Sequence, residues 1–315
     1  MKILSTLGCA AVVAATGATA VLAEYPEKPI EVIVPFGAGS NSDTSGRLLI
    51  NAMRKAMGAD LVPINVDGAG GTIGIAQMAR SKPDGYRIGY APIATVTVQP
   101  NLRPLPYDNT SLAPVCMVAN NPTAISVAPD SPYNSVQDLI DAAKSGEQII
   151  AVGGAPGSMP HITQAALANA YGVTFTYLPA GGGGKAATAL LGGEATLAAD
   201  AAAMVSQYDL KPLAIASAER TEMLPDVPTL TELGHDVSLS VWFGLFAPKD
   251  TPEEILDQLS SACGQAVEDP EFVKGMTAAN YTLQYLDRTT FAQFYEEEYA
   301  RSRDLLPTIG VAVKD

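Results

Sequence analysis

The sequence predicts an α/β fold built on a parallel, doubly wound sheet. Short apolar runs alternate with helically spaced runs along most of the chain, and two glycine-rich turns, Val34–Asp43 and Val66–Gly74, each join a strand-like run to a helix-like run. Neither a repeat of 20 to 50 residues nor a low-complexity linker interrupts the pattern.

The elements can be justified in order. Met1-Lys2, an apolar run from Ile3 to Leu22 and the small residues ending at Ala23 have the form of a cleaved export signal over residues 1–23. A membrane anchor is disfavoured by the small-residue end. Lipidation at Cys9 is disfavoured because Thr6-Leu7-Gly8 lacks the expected aliphatic residue. Ile30–Val34 is a strand, and Ser42–Met57 a helix with Leu48, Leu49, Ala52, Met53 and Ala56 on one face. Leu61–Val66 is the next strand, Gly71–Arg80 the next helix, and Tyr86–Tyr90 the third strand. This order implies ligand binding at the carboxyl ends of the strands, where both glycine turns sit.

A second series follows. A helix spans Ser135–Lys144, a strand Gln148–Val152, a glycine loop Gly153–Ser158 and then a helix through Ala170. Val173–Leu178 is a strand, Ala180–Gly184 a turn, Lys185–Leu191 a helix. Ala195–Ala199 is a strand ending at Asp200, and Lys211–Ala216 another. Beyond an extended run, Val237–Ala247, the chain reads as mostly helical from Pro252. Thr251 is expected to cap the first of these helices, and Thr289–Arg303 is the last. Proline-rich Ala113–Pro122 and extended Val237–Phe246 are candidate crossings between two domains.

The 315 residues suffice for about two domains, and 47% hydrophobic with 17% charged residues fits a folded core. A net charge of −14 argues against a nucleic-acid partner and gives an anionic ligand no long-range attraction. An anion site must then rest on local dipoles. Two strand-to-helix turns supply them through free first-turn amides and the positive helix end. Ser40, Asn41 and Ser42 add short hydrogen-bonding side chains. Asp43 should sit in the first turn accepting backbone N–H bonds, including some from the facing Gly70-Gly71 turn, as an organiser of the site.

Chemical machinery is sparse. GAGSNS (Gly37–Ser42) has Ser42 where a dinucleotide fingerprint has its third glycine, and Gly184-Lys185 lacks the rest of a phosphate loop. Nucleophile-elbow and C-x-x-C motifs are absent. His161 and His235 lie far apart and read as capping or packing residues, so no metal, cofactor or catalytic site is expected. Of three cysteines, Cys116 and Cys263 would remain after signal cleavage. A disulfide between them is open, with two buried free thiols the favoured reading.

Six ordered blocks carry a resemblance: YPEKPIEVIVPFGAGSNSD (Tyr25–Asp43), GAGGTIG (Gly68–Gly74), PDGYRI (Pro83–Ile88), LLGGEATLAAD (Leu190–Asp200), LPDVPTLTELG (Leu224–Gly234) and WFGLFAPKDTP (Trp242–Pro252). The chain resembles the substrate-binding proteins of tripartite tricarboxylate transporters, the Bug family. That resemblance implies a two-lobed, Venus-flytrap periplasmic binding protein and a monomer without enzymatic activity. Residues 24–121 with 240–315 would form the first lobe and 122–239 the second. The first lobe would hold a ligand carboxylate through Phe36, Gly39, Ser40, Asn41, Ser42 and Asp43, together with Gly68, Ala69, Gly70, Gly71 and Thr72. The turn after the third strand, from Ala91 to Thr95, would flank them. The second lobe would close with Gly157, Ser158, His161, the Ala180-Gly181 turn and Asp200. The ligand would be a di- or tricarboxylate or related organic acid, and the partner a membrane permease. A periplasmic sensor role and an exported enzyme are the alternatives. Departures from the family pattern include Asp67 where proline usually precedes GAGG and Thr196 and Ala199 before Asp200.

Overall fold

A computed structural model describes residues 25–311; the expected export signal lies outside them. The chain runs β1 (Ile30–Val34), α1 (Asn41–Met57), β2 (Leu61–Asn65), α2 (Thr72–Ala79), β3 (Arg87–Pro92), α3 (Gln99–Leu102) and β4 (Leu112–Val127). It continues through α4 (Val136–Lys144), β5 (Ile150–Gly153), α5 (Met159–Tyr171), β6 (Thr176–Pro179), α6 (Gly183–Leu191), β7 (Leu197–Ala201), α7 (Ala203–Tyr208) and β8 (Lys211–Ala216). It ends with β9 (Ser240–Pro248), α8 (Glu253–Val267), α9 (Pro270–Ala278), β10 (Leu283–Leu286) and α10 (Arg288–Thr308).

Two parallel groups of strands are joined by one antiparallel spine. β1 lies between β2 and β3, parallel to both, and β5 lies between β6 and β7 in the same way. Four of the five β1 residues are fully buried, as a strand covered on both faces requires. β4 spans 16 residues. Its first part pairs with β9 and β10, and its end, from Thr123 on, pairs with β7 and β8. Proline-rich Ala113–Pro122, a candidate crossing in the sequence, is therefore strand, and β4 runs from one strand group to the other. Pro114 and Pro122 are tolerated where the ladder to β9 is irregular or ends. The fold is a two-lobed α/β periplasmic binding protein fold, and the sheets are mixed rather than wholly parallel because β4 and β9 run against their neighbours.

Local signals explain the helix ends. Ser40 caps α1, its Oγ accepting Asp43 N at 3.2 Å, and Gly58 (φ 60°) closes the helix in the left-handed region. Ser135 and Asp138 form a reciprocal capping box on α4. Thr251 does not cap α8. Its hydroxyl donates to Pro248 O at 2.7 Å, and the helix begins at Glu253 after Pro252. β10 interrupts the carboxyl-terminal region that the sequence reads as mostly helical.

Beneath the lobes one apolar core runs from Ile33 and Ile75 through Trp242 to Ile125 and Leu167. Fully buried Trp242 meets Phe291, Phe294 and Tyr295 edge-on, and its Nε1 donates to Glu298 Oε2 at 3.3 Å. Cys116 on β4 and Cys263 on α8, both fully buried, form a disulfide. This corrects the free-thiol reading. Their separation of 147 residues hid the contact, because only the packing of α8 on the sheet brings them together.

Candidate anion site between the lobes

Parallel pairing puts both glycine turns at one sheet edge, since Val34 lies opposite Asn65 and the two loops leave from there. In the first loop Gly39 (φ 80°) turns the chain into α1. Four donors open α1, as they open any helix. Asp43 N is taken by Ser40 Oγ and Thr44 N by Ser40 O. The amides of Asn41 and Ser42 have no acceptor within the described residues. Ser42 is 4% exposed, so its amide is largely shielded from bulk water. Asn41 is exposed, and its carbonyl accepts from Ser45 Oγ and Tyr281 Oη, both at 2.8 Å.

Asp43 is buried and saturated. Its Oδ2 accepts Gly39 N at 2.9 Å, and its Oδ1 accepts Asn65 Nδ2 at 2.9 Å and Arg47 Nε at 2.8 Å. Burial alone would raise its pKa, but the hydrogen bonds from Arg47, Gly39 and Asn65 outweigh that and hold the carboxyl below its usual range. The facing partner is therefore Asn65, not the Gly70-Gly71 turn. Asn65 Nδ2 also donates to Phe36 O at 2.8 Å and so ties the first loop to β2.

The second loop holds four consecutive positive φ values, from Gly68 through Ala69 and Gly70 to Gly71. Gly68 N is spent on Asp67 Oδ1 at 2.7 Å and Gly68 O on Gly71 N, so Gly68 has no backbone donor left to offer. Ala69 O accepts from Arg103 Nη2 (2.7 Å) and from Thr72 Oγ1 (3.0 Å). Because a trans peptide points C=O and the following N–H apart, this turns the Gly70 amide away from Arg103. A side chain on Gly71 would meet Phe36 Cζ and Thr95 Oγ1, each at 3.0 Å, so the two loops and Thr95 converge there.

The flanking segment is not the simple turn the sequence suggests. Ala91 is buried within β3, opposite Gly244 of β9, and Thr95 belongs to a wide, π-helical turn over Ala94–Val98 that leads into α3. Thr95, fully buried, donates to Gly70 O at 3.4 Å.

The second parallel group of strands, β5 to β7, also ends in glycine loops. Gly157 (φ 79°) and Ser158 end the loop after β5, and Gly157 N donates to His161 Nδ1 at 3.1 Å. His161 also packs on the Tyr177 ring at 4.5 Å between centroids, and Tyr177 Oη donates to Gly154 O at 2.9 Å. Burial holds the imidazole pKa below its usual value, consistent with a neutral ring accepting at Nδ1. Ser158 Oγ is buried with no protein partner. Ala180 N closes back on Gly153 O at 2.7 Å, and Gly181 is exposed at φ 76°. Asp200 Oδ1 accepts Ala201 N at 2.7 Å, while its Oδ2 lies 3.8 Å from where a Gly183 side chain would begin, at the start of α6. Burial raises the Asp200 carboxyl above its usual range. Among the described residues no group of three or more His, Cys, Asp or Glu is arranged to hold a metal ion.

One residue absent from the sequence reading stands between the two halves. Gln99 of α3, 5% exposed, donates from Nε2 to Pro156 O at 3.4 Å across the lobe boundary. The sequence signal was slight: one amide side chain just before Pro100, after the mixed run Ala94–Val98 that already holds Thr95 and Thr97. Arg47 and Asn65 were also missed; the four-residue spacing from Asp43 is a signal that could have found Arg47, whereas Asn65 carried none.

The family profile described as "Tripartite tricarboxylate transporter family receptor" matches residues 46–311. The chain belongs to that family. The family is one of receptors rather than enzymes. The periplasmic binding protein BugD is 30% identical with a TM-score of 0.79, over 91% of this chain and 99% of BugD. MatC from Rhodopseudomonas palustris, solved with bound malate, is 26% identical with a TM-score of 0.80, over 90% of this chain and all of MatC. A second R. palustris protein, solved with adipate, is 25% identical with a TM-score of 0.80, over 91% of this chain and 99% of that one.

Proposed function

We propose that this receptor binds a small organic dicarboxylate or related acid between its lobes and delivers it to the membrane permease of a tripartite tricarboxylate transporter. Residues 24–121 with 240–315 form the anchoring lobe in this reading, and 122–239 the closing lobe. Export to the periplasm follows from the amino-terminal signal and the family.

The observation that carries the reading is the pair of unpartnered amides at Asn41 and Ser42, in the loop whose Phe36 meets Gly71 of the second glycine turn. Asp43 does not spoil this anion cradle, because Arg47, Asn65 and Gly39 consume its charge and lone pairs. The Arg47 guanidinium is taken by Asp43 and Asn65, and Arg103 spends one N–H on Ala69 O, so the anchor in this reading rests chiefly on peptide dipoles and hydroxyls. Hydrogen bonds to a charged acceptor contribute about 1.5–3 kcal/mol each. Malate and adipate differ in length, and both occur in relatives of this fold. A fixed anchor for one carboxylate with an adjustable far end accounts for that spread. Ser158 Oγ and Asp200 are the second-lobe groups available to that end.

The test is thermal unfolding with mono-, di- and tricarboxylates, aromatic acids and acidic amino acids. A ligand at a hundred times its Kd adds about 2.7 kcal/mol. For a chain of this size that raises the unfolding midpoint by about 4 °C. Ser42→Phe fills the cradle and should remove the response. If no carboxylate raises the midpoint, or the Ser42→Phe variant responds like the wild type, the reading is wrong.

A further inference from the structure

We propose that Gln99 is the latch on which the second lobe closes. It is a positioning residue, acting through the Pro156-Gly157 loop rather than on ligand, and it goes beyond the carboxylate reading while resting on its two-lobe mechanism.

The platform is rigid and belongs to the first lobe. Tyr107 Oη donates to Thr95 O (2.7 Å), Tyr295 Oη to Val96 O (3.2 Å), Ser302 Oγ to Thr97 Oγ1 (3.0 Å), and Asn101 Nδ2 to Thr97 O (2.8 Å). Segment 95–101 is thereby fixed to α10 and to the core. From that platform Gln99 reaches two ways. Its Nε2 lies 3.4 Å from where a Gly70 side chain would begin and 2.6 Å from the same point on Gly157. Both glycines have positive φ, and both leave the space that the carboxamide occupies. Leu102 Cδ1 also stands 2.6 Å from the Gly157 position. The closing loop thus fits against α3 only without a side chain at 157, and Gln99 supplies the polar contact to its backbone. On the far side His161 Nδ1 holds Gly157 N, so the loop arrives preformed. Through the Gln99 side chain the second lobe reaches the Gly70 end of the anchor, which couples closure to the place where the carboxylate is held.

The test uses the full mature chain carrying spin labels on Lys82→Cys and Glu194→Cys, exposed positions remote from the cleft in the two lobes. Gln99→Leu keeps the bulk and removes the donor. The expected result is a ligand-free interlobe distance distribution shifted to longer values. It comes with an unchanged ligand-free unfolding midpoint and an affinity loss of about three- to tenfold, equal for malate and adipate. A wild-type distance distribution in Gln99→Leu overturns the latch. A loss confined to one of the two acids overturns it too, by making Gln99 a ligand contact. A fall in the ligand-free midpoint large enough to account for the affinity loss overturns it as well, by making Gln99 a packing residue. If the wild type binds neither acid, the best acid from the thermal screen replaces them, and the ligand-free distances decide the latch whether or not any carboxylate binds.

Discussion

Asp43→Asn separates an organiser of the anion site from a repellent within it. The wild-type carboxylate accepts three hydrogen bonds, at 2.9, 2.9 and 2.8 Å, from Gly39 N, Asn65 Nδ2 and Arg47 Nε. A carboxamide keeps one oxygen. Its NH2 must face either Gly39 N or the Arg47–Asn65 pair, donor against donor. At least one charge-assisted bond is lost, at about 1.5–3 kcal/mol. The Arg47 guanidinium is 46% exposed and rehydrates, so its ion pair adds at most about 1 kcal/mol. The total is about 2–4 kcal/mol. With roughly 2.1 cal/mol/K of unfolding entropy per residue, that lowers the midpoint by about 3–6 °C. Calorimetric unfolding measures this, and titration with the best acid from the screen measures binding. Affinity should fall about tenfold, because the Gly39–Ser42 stretch loses its preorganisation. If Asp43 instead confronts the ligand, removing its charge must strengthen binding. Tighter binding, or an unaltered midpoint, refutes the argument.

Asp200 supplies a pH dependence whose sign follows from its burial. Its folded pKa is raised, so the folded protein holds a proton that the unfolded chain releases, and this contribution to stability is lost as pH rises from the ordinary carboxylate value through the raised one. A nearby ligand anion favours the protonated form further, so affinity should decline over that same acidic window. Titration calorimetry across pH should show that Asp200→Asn lacks this decline and keeps only the dependence set by the ligand's own carboxyl titration; an equal slope in both proteins removes Asp200 from the site. The disulfide closes a separation of 147 residues, for which chain entropy gives a stabilisation of about 5 kcal/mol. Paired Cys116→Ala and Cys263→Ala substitutions should lower the denaturation midpoint markedly while leaving ligand affinity intact, and an unchanged midpoint would contradict the structural role.

Local signals made much of the molecule legible in the sequence. The run Ile30–Val34, the amphipathic Ser42–Met57 stretch and the glycine turns state their structures within a few residues, because backbone geometry and one-sided burial act over short distances. The same proximity made Asp43 readable as a first-turn residue, whereas the capping role of Ser40 was not read. What tertiary structure decided were contacts between distant segments. The strand over Leu112–Val127 looked like a proline-rich crossing because its identity depends on β9 and β7, which are contributed by remote residues. Asn65 rather than Gly70-Gly71 met Asp43 because strand register, not loop composition, sets that distance. The Cys116–Cys263 bond and the reach of Gln99 to Pro156 likewise arise only when helices dock on the sheet and the second lobe meets the first. Periodicity and turn chemistry are written along the chain; the pairing of surfaces far apart in sequence is fixed by packing.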